Sequence, residues 1–129
     1  MTQKLCIVCV SGTLEKLQMA AMVASVAAAT GEEVTVFLSM NALLYFVRDE
    51  TSQPPGEGRF AELLRQDGVP GFRELFGHAV ELGDAKLLPC SMAVDLLKLG
   101  PDSLQPEVGP PTGLTRFLSE TEGARVMTF

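Results

Sequence analysis

The stretch 4-KLCIVCVSGTLEKLQMAAMVASVAAATGEEVTVFLS-39 decides the fold. Lys4 to Val10 is a short run of Leu, Ile, Val and Cys that ends at Ser11-Gly12, and Thr13 to Thr30 reads as a helix closed by Gly31. Glu33 to Leu38 (E-V-T-V-F-L) repeats the strand signal with β-branched residues and stops at Ser39-Met40-Asn41. A helix joining two short apolar strands implies a right-handed, parallel βαβ unit.

The pattern continues outward. Ala42 to Val47 reads as a short helix. Asp49 to Gly58 (D-E-T-S-Q-P-P-G-E-G) has the polar, Pro/Gly-rich composition of a mobile loop. Phe60 to Arg65 reads as a helical turn, and Pro70 to Leu82 as a helix with Pro at its start, Gly83 at its end and a stripe of Phe72, Leu75, Phe76, Ala79 and Leu82. Ala85 to Pro89 is a third strand, Cys90 to Lys98 and Gly113 to Glu120 are helices, and Ala124 to Phe129 is a closing strand. A proline-rich connection, Gly100 to Pro111, lies between those two helices. Strands alternating with helices imply an α/β layered fold, with a mainly parallel sheet covered on both faces.

At 129 residues the chain fits a single domain, 1–129. It is 47% hydrophobic and 20% charged, enough to bury a core and leave apolar surface for partner subunits. The helical run Met19 to Ala29 is apolar all round, as in a helix buried on both sides, and one of those sides can be a neighbouring subunit. It falls short of the roughly 20 residues of a membrane span. Sixteen acidic against ten basic residues, with no basic cluster, argue against nucleic acid as a partner. The opening apolar run turns polar at Ser11, too short and wrongly flanked for a signal peptide, so a cytoplasmic location is expected. Three cysteines, an odd number, fit a reducing compartment better than a disulfide framework.

Parallel strands deliver their C-terminal ends to one edge, where such folds bind ligands. Ser11-Gly12-Thr13, Ser39-Met40-Asn41 and Cys90-Ser91 all hold that position. Cys90 follows Leu87-Leu88-Pro89 and opens a helix, so its sulfur would meet free backbone N–H groups and the positive end of the helix dipole, conditions that favour thiolate. A cysteine at such a junction also serves as plain filling, because free Cys is among the most buried residue types. Cys6 and Cys9 have C-x-x-C spacing but lie within a strand, where positions three apart point to opposite faces; they are expected in the core. With one histidine, His78, no four-ligand metal site can be assembled from ordinary ligands. His78 falls on the polar side of its helix and serves as a base for Cys90 only if that helix reaches the strand-end edge.

Ser11-Gly12-Thr13 carries one glycine and matches neither G-x-G-x-x-G nor the P-loop pattern, so no cofactor is expected. The turn suits an N-cap by Ser11 or Thr13, or a bare anion site at a helix start.

The order of S-G-T-L-E-K turn, Ala-rich helix, strand V-T-V-F-L-S-M-N, proline-bearing loop, P-G-F-R-E-L helix and L-P-C-S-M-A-V-D-L-L resembles the DsrE/DsrF-like sulfur-relay family. Within it, the chain is most similar to the DsrE-like branch, sometimes labelled peroxiredoxin-related. The likeness spans nearly the whole chain, and C-S-M after a strand is its most specific part. The resemblance implies a flavodoxin-like three-layer sandwich and assembly into dimers, trimers or hexamers. It also implies a cysteine, here Cys90, that holds sulfane sulfur as a persulfide or thiosulfonate between donor and acceptor proteins. Some relatives carry a second cysteine five residues on, where this chain has Asp95; a single-thiol carrier follows. A peroxidatic thiol needs a Thr or Ser and an Arg placed around it, and L-L-P-C-S-M offers no such pattern upstream, so peroxidase activity is not expected. On this reading Ser11, Gly12, Thr13, Asn41 and Ser91 shape an anion-holding pocket beside Cys90. The rival expectation is a binding or scaffold subunit with an inert Cys90, and a nucleotide binder would need phosphate ligands that the single-glycine turn lacks.

Overall fold

The computed structural model describes residues 2–129. Along the chain run β1 (Lys4–Cys9), α1 (Leu14–Ala29), β2 (Glu33–Leu38), α2 (Met40–Leu44), α3 (Phe60–Leu64), α4 (Phe72–Gly83), β3 (Lys86–Pro89), α5 (Ser91–Leu96), α6 (Leu114–Glu120) and β4 (Arg125–Thr128). The strands form one sheet in the order β3-β2-β1-β4, with every pairing parallel. The chain steps from β1 through β2 to one edge, then crosses back to place β4 on the other side of β1. Right-handed crossovers then require the returning connection to pass over the opposite face. Accordingly α1 and α4 lie on one face and α6 on the other, where Phe117 stacks on Phe37 with ring centroids 4.6 Å apart. The result is the expected three-layer, flavodoxin-like α/β sandwich.

The α1 face owes its packing to small side chains. Ala20, Ala21, Ala24, Ala27 and Ala28 are buried, which lets α4 approach closely with Phe72, Phe76 and Ala79. Phe46 meets the rings of Phe72 and Phe76 edge-on, at 6.2 and 5.5 Å. The buried Gln18 donates from Nε2 to the Pro70 carbonyl at 2.8 Å, so its amide does not go unsatisfied.

Several expectations need correction. Helix α1 is not buried on both sides: Met19 is 49%, Met22 43% and Val26 64% exposed. Their spacing of three and four residues puts them on one stripe. The sheet takes one side of α1 and α4 another, and among the described residues none covers the third. Helix α2 begins two residues before the expected Ala42, directly after β2, and ends at Leu44. Helix α4 starts after Pro70, with Gly71 as its N-cap; Gly83 is still helical, and the left-handed residue that ends the helix is Asp84 (φ 56°). Gly83 is there for space, since a β-carbon on it would lie 2.4 Å from that of Ala28. Helix α5 is shorter than expected, with Cys90 outside it as N-cap.

The segment Asp49 to Gly58 is tied down rather than loose. Pro54 is fully buried and its carbonyl accepts from Arg65 at 3.1 Å. The Pro55 carbonyl accepts from the Leu14 N–H at 2.9 Å, and Arg73 donates to the Ser52 carbonyl at 3.1 Å. Glu15 accepts from the N–H groups of Glu57 and Gly58, which, with the Glu57 donor first, hold its carboxyl below the usual carboxylate range. Composition reports local backbone preference; these ties come from residues far away in sequence. The proline-rich connection likewise has a structural task. Gly109 donates to the Leu87 carbonyl at 2.7 Å and Thr112 to that of Pro89 at 2.8 Å, so residues 109–112 run along the free edge of β3. Pro110 and Pro111 have no N–H to offer a further strand and so blunt that edge. Among the described residues no helix is long and apolar enough to cross a membrane.

Candidate functional site

The C-terminal ends of β1, β2 and β3 line up along one edge in that spatial order, and their ladder bonds run on into the turns. Ser39 donates to the Cys9 carbonyl at 2.9 Å, and Cys90 to that of Leu38 at 2.8 Å. Cys90 is therefore beside the β2 turn. Ser11-Gly12-Thr13, at the end of β1, stand two strand spacings away, roughly 9–10 Å. Asn41 lies between the two groups and is exposed. The turns of β1 and β2 touch: a β-carbon on Gly12 would lie 2.8 Å from Asn41 Cβ and 2.9 Å from its carbonyl oxygen. Absence of a side chain at Gly12 is what permits this approach.

Cys90 caps α5 in an extended conformation (φ −63°, ψ 123°) and is 7% exposed. Its carbonyl receives the Val94 N–H at 2.9 Å, the first turn of the helix. Ser91 is half-buried and donates its backbone N–H to the Thr112 carbonyl at 3.0 Å. Its hydroxyl lies near Gly113, where a β-carbon would be 3.8 Å away. Five residues on from Cys90, Asp95 is exposed on α5.

The start of α1 already holds an acidic group. Thr13 makes no side-chain cap to the helix. Instead its hydroxyl donates to the Glu57 carboxylate, and the Leu14 N–H is taken by Pro55. A carboxylate at this helix start is favoured by the dipole. Glu57 was not legible as a participant, since it lies 44 residues from Thr13 and only the folded-back loop delivers it.

Met40, placed by sequence at the strand-end edge, has a conformation that the sequence did not indicate. It follows β2 directly, adopts φ 51° without being glycine or asparagine, and is 54% exposed. A left-handed backbone there costs about 1–2 kcal/mol and turns the chain sharply into α2. Met40 and Leu44 of α2 face Met92, Leu96 and Leu97 across an apolar groove of about 190 Å³ next to Cys90. Helix propensity gives no sign of a left-handed methionine.

The other sulfurs are structural. Cys6 and Cys9 lie on opposite faces, as strand alternation requires: Cys6 Sγ is 3.8 Å from the Glu120 carbonyl of α6, and Cys9 pairs with Leu38. Burial raises both thiols, Cys6 with help from Glu120 and Cys9 to about 12, so both stay protonated near neutrality. All three cysteines are free. His78 is exposed on α4, and among the described residues no cluster of three or more His, Cys, Asp or Glu is placed to hold a metal ion.

No protein-family model matches the chain, and no curated protein matches it in sequence. Solved structures do match in fold. The ychN protein from E. coli superposes with a TM-score of 0.71 over all of both chains at 16% identity. A protein of unknown function, MTH1491 from Methanobacterium thermoautotrophicum, gives 0.70 over 98% of this chain and 99% of its own at 11% identity. At such identities the likeness establishes a shared fold along the full length of the chain, and leaves the chemistry to be argued from the residues.

Proposed function

We propose that this chain, as a single domain, is a cytoplasmic sulfur carrier of the DsrE/DsrF-like type that holds sulfane sulfur on Cys90 and passes it to a partner protein. The observation that carries this reading is the place of Cys90: the end of β3, on the ligand-binding edge of a parallel sheet, opening α5. The full-length fold likeness to the ychN protein supports it, as does the C-S-M motif. In the transfer, the Cys90 sulfur attacks the outer sulfur of a donor persulfide. The donor S–S bond breaks, a new S–S bond forms on Cys90, and the donor leaves as a thiolate that takes up the proton given up by Cys90. The reverse step onto an acceptor thiol completes the relay with no net oxidation. Asn41 and Ser91 flank the sulfur in this scheme, while Ser11, Gly12 and Thr13 lie farther along the edge, where the Glu57 carboxylate already takes the Thr13 hydroxyl and disfavours an anionic donor group.

Incubation with polysulfide or thiosulfate followed by intact mass measurement tests the reading. Wild type is expected to gain sulfur and Cys90→Ser none; equal gain by the variant refutes it. The burial of Cys90 favours a second reading, a scaffold subunit whose thiol only packs. Alkylation of the native protein separates the two, because an inert Cys90 labels no faster at pH 7 than a free thiol of pKa about 8.5.

The exposed Met19-Met22-Val26 stripe supports a homo-oligomer, in which a second copy covers the open side of α1. Placing a charge there with Val26→Glu is expected to reduce the assembled mass to that of one chain in size-exclusion chromatography with light scattering. A wild type that already runs as one chain refutes the assembly.

A further inference from the structure

One concavity belongs to neither the strand-end edge nor the α1 stripe. It is a cleft of about 700 Å³ between α5, the segment after α2 and the loop 99–111, within the usual size of small-molecule sites. Its form is set by backbone bonds. Val47 and Leu104 make an antiparallel bridge, Arg48 donates to the Ser103 carbonyl at 2.7 Å, and Gln105 to that of Phe46 at 2.9 Å. The Gln105 side-chain amide reaches the carbonyls of Val47 and Arg48 at 3.3 and 3.0 Å. Four prolines in residues 101–111 stiffen the rim. Little ordering is left for a ligand to impose.

The lining joins an apolar wall, including Val94, Leu104, Val108 and Pro110, to charges of both signs, Arg48 against Asp95 and Asp102. These charges do not pair with one another: among the described residues the ion pair found is Arg125 with Glu32. Arg48 uses its Nε–H on the Leu104 carbonyl at 3.4 Å, which leaves the terminal nitrogens of its fork for a carboxylate.

We propose that this cleft binds a small zwitterion with an apolar body, the chemistry of a free aliphatic amino acid. Arg48 receives the carboxylate, Asp95 and Asp102 the ammonium, and the wall of Val94, Leu104 and Val108 the side chain. The site is independent of sulfur chemistry at Cys90, although α5 borders both.

The test is a titration of the full chain with L-leucine, followed by backbone amide shifts in two-dimensional NMR. Saturable shifts are expected at Arg48, Leu104 and Gly109. Arg48→Met and, separately, the exposed Asp102→Asn are expected to weaken binding, the first by roughly tenfold, the worth of one charge-assisted hydrogen bond. Leucinamide, without the carboxylate, and 4-methylpentanoate, without the ammonium, are each expected to bind more weakly than leucine. The proposal is overturned by absence of saturable shifts with leucine, by equal binding of either single-charge analogue, or by undiminished binding in both variants. Loss of sulfur loading in Cys90→Ser with leucine binding intact is the expected separation of the two sites.

Discussion

Truncating Phe76 to alanine is expected to destabilise the protein by about 3–5 kcal/mol, the range for a fully buried aromatic ring. Phe76 is 0% exposed, lies on α4, which packs against α1, and meets Phe46 edge-on at 5.5 Å. Removing the ring opens a cavity among residues that cannot close it, because the facing positions on α1 are alanines already in contact with α4. It also removes one of the two rings that hold Phe46, which follows α2 at the strand-end edge. Urea unfolding is the measurement, with the midpoint falling while the slope stays constant. Comparing Phe46→Ala with the double variant should show a coupling of about 0.5–1.5 kcal/mol for the edge-on pair. A loss below about 1 kcal/mol for Phe76→Ala would mean that the core is looser than its packing indicates.

Gly83→Ala is the second, and its direction runs against ordinary propensity. Within a helix, glycine to alanine usually stabilises by about 1 kcal/mol. Here the added β-carbon would lie 2.4 Å from Ala28 Cβ and 3.2 Å from backbone atoms of Ala28, so α4 must move away from α1. Overpacking of this kind costs about 1–3 kcal/mol. Ala28→Gly removes the nearest obstacle, so the double variant should be more stable than the two single losses added together. Thermal and urea unfolding of the four proteins decide the matter. Strict additivity would place the cost elsewhere than in the Gly83–Ala28 contact.

These positions show how much could be read in advance. The βαβ opening was legible because its signal is local: apolar runs with β-branched residues, small-residue turns and one long helix. Opposite faces for Cys6 and Cys9 followed from strand alternation alone, and the register confirms it. Gly83 read as a helix stop because glycine commonly ends helices; its task is set instead by Ala28, 55 positions earlier. The segment Asp49 to Gly58 read as loose, and its anchors, Leu14, Glu15, Arg65 and Arg73, lie outside it.

The candidate site divides along the same line. Placing Cys90, Asn41 and Ser11-Gly12-Thr13 on one edge needed only the rule that parallel strands end together. Their order along that edge, with Cys90 beside the β2 turn and Thr13 two strands away, depended on the sheet order β3-β2-β1-β4. The sequence by itself determined the fold class, the secondary elements to within a few residues and the cysteine at the C-terminal edge of the sheet, because each is written in nearest-neighbour periodicity. Only the tertiary structure decided the strand order, Glu57 at the start of α1, the left-handed Met40, the open stripe on α1 and the cleft beside Arg48. Each of these is a meeting of residues far apart in the chain, and packing energy selects such meetings over the whole molecule at once.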